Sequence, residues 1–201
     1  MVGHKPTFGL VSHFGVGFGS EPSIDYAGPM ARTVEDTAAA LQAVAGVDGL
    51  DFRQDRAVPE TMDVLSTLRD GVEGLRIGVL EEGFDDLTEP DVEQAVLAAV
   101  DVLARLGADV SKVSVPEHLV ARRVGGMIGP EGSRSIFDGG FMGAFARTYY
   151  PTKLVAAIGK MNRNGTGALP PRTKFGLLTA EYSRRNFYGA VYAKAHNVRR
   201  S

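Results

Sequence analysis

Apolar residues recur along this chain at two periods, and the changes of period mark its elements. Val34, Ala38, Leu41 and Ala45 fall at helical spacing and predict an amphipathic helix with one apolar face. Thr33 stands where its hydroxyl can cap the free N–H groups, and Asp36, three residues on, can return the bond. Glu35 and Asp36 lie where the helix dipole favours negative charge, and Gly46 supplies a stop. The strongest pattern is PDVEQAVLAAVDVLARL, residues 90–106, with Val92, Ala95, Val96, Ala99, Val100, Leu103 and Leu106 on an inner face. Pro90 suits its first turn and Gly107 its end. LRIGVL, residues 75–80, reads as a buried strand before it. ADVSKVSV, residues 108–115, reads as a second strand after it, with Val110, Val113 and Val115 apolar. Strand, helix and strand of these lengths predict a βαβ crossover with parallel strands, right-handed as such crossovers are.

The remaining segments carry weaker patterns. Residues 3–29 hold Gly3, Gly9, Gly15, Gly17, Gly19, Gly28, Pro6, Pro22 and Pro29, which predicts loop. Residues 47–60 read as a turn-rich surface connection, and TMDVLSTL, residues 61–68, predicts a short helix. Residues 117–137 read as a helix broken by Gly125, Gly126, Gly129, Pro130 and Gly132. Residues 139–172 read as irregular, with a short helix around LVAAIGK and a loop over MNRNGTGALPP. Residues 173–200 predict one long helix, with Tyr188, Val191, Tyr192, Ala195 and Val198 as its apolar stripe and its arginines and lysines as a solvated face.

Composition narrows the class. A chain of 201 residues is one large domain or a piece of a larger one, and it can bury a core without staples. A formal net charge of -2 gives no reason to expect nucleic acid or an anionic membrane as partner. The sequence contains no cysteine, which excludes disulfides, thiolate metal sites and a cysteine nucleophile. No apolar run approaches the roughly 20 residues that span a bilayer. MVGHKPTFG lacks the regions of a signal peptide, so the chain reads as cytoplasmic.

Chemistry is hard to find residue by residue. His4, His13, His118 and His196 have no metal-ligand spacing; His4 and His13 share one loop region, as ordinary loop histidines or as a site. Glu81–Glu82 and Asp85–Asp86 follow a predicted strand end, where open α/β sheets place ligands, although adjacent surface acids are common. VGFGS resembles a phosphate loop only superficially, since no Gly-Lys-Ser/Thr follows. Neither a Gly-x-Ser-x-Gly elbow nor a Ser-x-x-Lys pair occurs, and Ser111 and Lys112 sit in a strand with side chains on opposite faces. Asp25, ahead of Gly28-Pro29, can fix a turn by bonding its own downstream backbone, or can touch a substrate. Arg32 can pair with a nearby acid or cap exposed carbonyls. On these grounds a binding protein and an enzyme fit equally well.

One long motif changes the balance. GHKPTFGLVS followed by SIDYAGPMARTVEDTAAALQAVAG resembles the amidase signature family. The matching positions are Gly3, Lys5, Pro6, Thr7 and Gly9; then Asp25 and Gly28 through Val34, with Asp36; then Gly46 and Asp48. GHKPTFGLV and RIGVLEEGF look most like bacterial acyl-amide amidases. The resemblance implies an α/β fold, here a mixed sheet flanked by helices with a βαβ unit at about residues 75–115. It implies hydrolysis of carboxamides to an acid plus ammonia or an amine. In the family, a serine nucleophile is relayed through a second serine, in a cis peptide, and a lysine, with backbone N–H groups holding the oxyanion. An alcohol needs such a base, and the carbonyl oxygen needs preplaced donors.

Those serines and that lysine precede the Lys-Pro-Thr segment in the family, whereas this chain begins with it. The resemblance therefore implies no catalytic residue here, a structural role for Lys5, and one partial domain over residues 1–201, incomplete at both ends. It aligns Met127, Ile128, Gly129 and Glu131 with a wall of the acyl pocket; the same residues also suit packing and helix breaking. Neither a cofactor nor a metal is implied. Expected partners are a small-molecule amide and either a second copy or the missing portion, without nucleic acid or membrane. The isolated chain is expected to be marginally stable, aggregation-prone or packed against such a partner. The alternative is a non-catalytic, truncated relative serving as a binding or assembly module.

Overall fold

The computed structural model describes residues 1–17, 21–55, 57–84, 88–145, 147, 149–165, 167 and 169–199. The chain divides into two compact units, Met1–Ser66 with Val124–Ser201, and Thr67–Arg123.

In the first unit, β1 (Val2–Gly3) pairs antiparallel with β2 (Met30–Ala31), and the His4 N–H extends the pairing to the Pro29 carbonyl at 3.1 Å. This pairing explains Gly28-Pro29. A Cβ at Gly28 would collide with the His4 carbonyl oxygen and sit 2.8 Å from Pro6 Cδ, so only glycine lets the two segments meet. Helix α1 (Val34–Val44) starts at Thr33, whose Oγ1 accepts the Asp36 N–H at 3.0 Å. The reciprocal bond from the Asp36 carboxylate is not formed among the described residues. Thr37, Ala38 and Leu41 are buried, whereas Val34, expected on the same face, is 56% exposed in the first turn.

The next expected helix, over TMDVLSTL, is a series of turns. The Gln42 Oε1 captures the N–H groups of Val64 and Leu65 at 2.9 and 3.1 Å, and Asp63 takes that of Ser66. Those donors leave the helical pattern for side chains.

The second unit carries the predicted crossover. Strands β3 (Arg76–Leu80) and β4 (Asp109–Val113) pair in parallel, with Arg76 opposite Asp109 and Leu80 opposite Val113. Helix α2 (Pro90–Arg105) joins them. The expectation of a buried strand and a buried inner face fails: no residue of α2 is buried, and Val92 and Leu106 are 52% and 60% exposed. Two strands and one helix offer too little surface to cover that face. Glu82 closes the unit by accepting the Ser114 hydroxyl at 2.5 Å and the Val115 N–H at 2.8 Å.

Helix α3 (Glu117–Asp138) runs unbroken for 22 residues with Pro130 inside it, contrary to the expected break. Proline clashes with the carbonyl four residues earlier and removes one hydrogen bond; here that earlier residue is Gly126, which adds no side chain to the crowding. Ile128 and Gly132 are the buried positions of α3. Helix α4 (Thr152–Asn164) is longer than LVAAIGK predicted and ends where the Gly165 N–H bonds the Met161 carbonyl at 2.7 Å. The single long C-terminal helix is two, α5 (Pro171–Phe187) and α6 (Ala190–Val198). Tyr188 and Gly189 separate them, both at left-handed φ, 53° and 81°. That corner leaves Tyr188 89% exposed and off the predicted stripe. The core of the first unit is small: Leu10, Ala38, Leu41, Ile128, Ala144, Phe145, Ala180 and Ala195.

Candidate functional site

Loop 21–25 leads into the Gly28-Pro29 turn, and its position is fixed from three directions. The Asp25 carboxylate accepts the Glu21 N–H at 3.3 Å, so this acid does anchor the turn, but through upstream rather than downstream backbone. Arg53 Nη1 donates to the carbonyls of Asp25 at 3.0 Å and Pro22 at 3.4 Å. From α6 and its end, Tyr192 bonds Glu21, and Arg199 Nη1 donates to Ser23 Oγ at 2.9 Å.

Arg53 itself belongs to a buried knot. Its Nη2 pairs with Asp51 Oδ2 at 3.1 Å, and the two side chains are 4% and 0% exposed. Asp51 also accepts the N–H groups of His13 at 2.7 Å and Arg53 at 3.0 Å. Burial alone would push the Asp51 carboxyl up, but the Arg53 hydrogen bonds and these N–H donors outweigh it and hold the pKa below the usual carboxylate value. His13 is buried, and burial, followed by the Arg53 charge, lowers its pKa.

Helix α3 carries the four positions singled out for the acyl wall, and they face different surroundings. Ile128 is 0% exposed, within the core. Met127 and Gly129 line a hollow of about 610 Å³, together with Phe137 and, from α5, Arg172 and Phe175. Glu131 lines a different cavity of about 430 Å³, shared with Glu21, Arg134, Arg184 and Tyr192. There Glu131 Oε1 accepts the Ser183 hydroxyl at 2.6 Å, and the Tyr192 hydroxyl donates to Glu21 Oε1 at 3.2 Å. Burial, then the Glu21 charge and hydrogen bond, with Glu131 adding, push the Tyr192 phenol up to about 12.

The remaining candidates are structural where described. Ser23, Ser114 and Ser183 donate to carboxylates, while the Lys5 and Lys174 ammonium groups donate to the Pro6 and Gly167 carbonyls. Thus among the described residues no lysine is bonded to a serine. His4 serves the β1–β2 pairing through its backbone, and His196 stacks edge-on against Tyr192 at 4.5 Å. No group of three or more histidine and acidic side chains among the described residues is placed to hold a metal. Glu81 opens a short 3-10 turn; Asp85–Asp86, like Phe18–Gly19–Ser20 of VGFGS, lies outside the described residues. Sequence reasoning missed the Asp51–Arg53 pair, whose residues are near neighbours but whose backbone partners lie 28 and 31 residues away, and the Glu21–Tyr192 contact, which joins positions 171 residues apart.

Comparison with known proteins gives the chain a family. The model of the family named Amidase matches residues 1–200, and the chain belongs to that family. The glutamyl-tRNA(Gln) amidotransferase subunit of Methylococcus capsulatus (strain ATCC 33009 / NCIMB 11132 / Bath) is 37% identical over 206 residues, covering 100% of this chain and 40% of its own length. The crystal structure of the corresponding amidotransferase subunit from Thermotoga maritima matches with TM-score 0.65 at 29% identity, over 98% of this chain and 37% of that one. Native peptide amidase from Stenotrophomonas maltophilia matches with TM-score 0.55 at 27% identity, over 94% of this chain and 38% of that one. The chain thus spans about two fifths of the length of the curated relatives it matches.

Proposed function

We propose that this chain is the supporting part of an amide hydrolase that cleaves the C–N bond of carboxamides, giving an acid plus ammonia or an amine. The family match over residues 1–200 carries the reading. The nucleophile, its relay serine and the lysine are supplied by polypeptide outside these 201 residues. Within them, Met127 and Gly129 form part of the acyl wall, with the Arg172 guanidinium beside the same hollow. Ile128 holds that segment of α3 from the core side, and Glu131 acts from the opposite cavity.

A covering partner belongs to the same reading. The chain exposes 13824 Å², against roughly 11,000 Å² for two separate compact proteins of the two units' sizes. The apolar face of α2 is part of the excess, and a second copy or the catalytic portion covers it. No helix among the described residues is long and apolar enough to cross a membrane, and we read the enzyme as cytoplasmic.

The test is ammonia release from a panel of simple carboxamides by the native polypeptide purified from its source. Turnover abolished by phenylmethylsulfonyl fluoride, with the 201-residue chain silent, is the expected result. Hydrolysis by the 201-residue chain alone would overturn the division of labour. A native polypeptide inert on every amide and unreactive toward the reagent would leave the binding-module alternative in its place.

A further inference from the structure

The cavity on the Glu131 side of α3 has a charge arrangement that its own fold does not complete. Glu21 enters it from the loop, Glu131 from α3 and Tyr192 from α6. Both carboxylates are half-buried. Each accepts only neutral donors: Glu21 takes the Ser23 N–H and hydroxyl and the Tyr192 hydroxyl, and Glu131 takes the Ser183 hydroxyl. Among the described residues neither has an ion-pair partner.

Two guanidiniums line the same cavity, but both are engaged elsewhere. Arg134 pairs with Asp138 at 2.9 Å and Glu181 at 3.3 Å, and Arg184 pairs with Glu181 at 2.8 Å. Arg199 also approaches, and its Nη1 is bonded to Ser23 rather than to Glu21. The rest of the wall, Ser135 apart, is apolar or aromatic, with Ile136, Ala180 and the rings of Tyr188 and Tyr192. A volume of about 430 Å³ lies within the range of small-molecule pockets.

We propose that this cavity binds a small organic cation, its primary ammonium group held between the Glu21 and Glu131 carboxylates and its apolar body against the tyrosine rings. An ammonium offers three donors and one positive charge, which is what two carboxylates served only by hydroxyls and one amide N–H lack. Aromatic rings beside the acids add attraction for a cation and contact for its carbon body. A neutral alcohol of the same shape would bring one uncharged donor in place of three charged ones, and an anion would bring none. The site lies apart from the hollow lined by Met127 and Gly129, and it does not depend on amide hydrolysis.

The test uses the complete native polypeptide that carries these 201 residues and 2-phenylethylamine, with 2-phenylethanol as the neutral isostere and 3-phenylpropionate as the anion. Binding is followed by 1H–15N correlation spectra. The amine is expected to give saturable shifts at Glu131, Ser183 and Tyr192, with a dissociation constant on the order of 1 mM for so small a ligand. The alcohol and the acid are expected to bind at least about tenfold more weakly. Glu131→Gln and Glu21→Gln, made separately, keep the side-chain shape and an acceptor oxygen for the neighbouring hydroxyl. Each is expected to weaken the amine about tenfold while spectral dispersion persists; Glu93→Gln on α2 controls for net charge. Equal binding of amine and alcohol, unchanged affinity in a folded glutamine variant, or no saturable shift at ten times the expected concentration would each overturn the proposal. If both variants lose dispersion, the comparison of amine with alcohol on the unaltered chain decides.

Discussion

Replacing Arg53 with alanine tests whether the first unit is held by a polar knot as much as by its core. The guanidinium pairs with Asp51 at 3.1 Å and also serves the carbonyls of Asp25 and Pro22, 28 and 31 residues away in sequence. Truncation leaves the Asp51 carboxylate buried without its cation, because that side chain is 0% exposed. Breaking a buried pair from one side costs about 3–5 kcal/mol. For a domain of this size that lowers Tm by about 6–20 °C. Differential scanning fluorimetry with urea titration by circular dichroism measures both. Asp51→Asn with Arg53→Met removes the orphaned charge and is expected to be more stable than Arg53→Ala alone. The pH dependence has a definite sign. Asp51 is lowered in the folded state, so its contribution is present above the ordinary carboxylate pKa and is lost as pH falls through the lowered value. A loss below about 1 kcal/mol in Arg53→Ala, or a double variant no better than the single one, would refute the account.

Gly28→Ala places a methyl group against the His4 carbonyl, and should cost about 1–3 kcal/mol through forced backbone movement. Faster amide exchange at His4 and a lower Tm would register it, whereas wild-type exchange would contradict the close approach. Tyr192 should ionise near 12 in an ultraviolet titration, rather than at the ordinary value of about 10. Because its pKa is raised, its stabilisation is complete below about 10 and disappears as pH rises through about 12. Tyr192→Phe should flatten that alkaline loss; an unchanged profile would assign it to other groups.

Periodic segments were legible because the spacing of apolar residues selects the element, even in α2, where the apolar face stays exposed. The Thr33 cap, the start of α1 and the parallel β3–β4 pair all stand where the pattern placed them. Boundaries failed where one local rule met another. The α3 glycines and Pro130 read as breakers, yet the helix continues, with Gly132 buried and the proline opposed only by Gly126. The reverse occurred at residues 173–200, where helical periodicity runs through Tyr188 without revealing the left-handed corner. For the site, Met127 and Gly129 line one hollow, while Glu131, one helical turn beyond Met127, lines another cavity. The partners of Glu131 come from α5 and α6, and no local pattern reports them.

The same device recurs in several of the described loops. Loop carbonyls and N–H groups that no strand or helix can serve are taken by long polar side chains. Gln54 Nε2 donates to the carbonyls of Gly9 at 2.8 Å and Gly46 at 2.9 Å. Gln42 receives two N–H groups of residues 64–65, and Glu82 receives that of Val115. An unsatisfied buried backbone group costs as much as a lost hydrogen bond or more, so each such side chain replaces a piece of missing ladder. The consequence is directional. A methylene removed from Leu41 is felt through packing alone, whereas a change at Gln54 or Arg53 frees backbone at two sites distant in sequence. The loops that carry the family motif are therefore held in part from the connection at residues 47–60, at Gly9 by Gln54 and at Asp25 by Arg53. Substitutions in that short connection should disturb the motif region more than their own distance from it suggests.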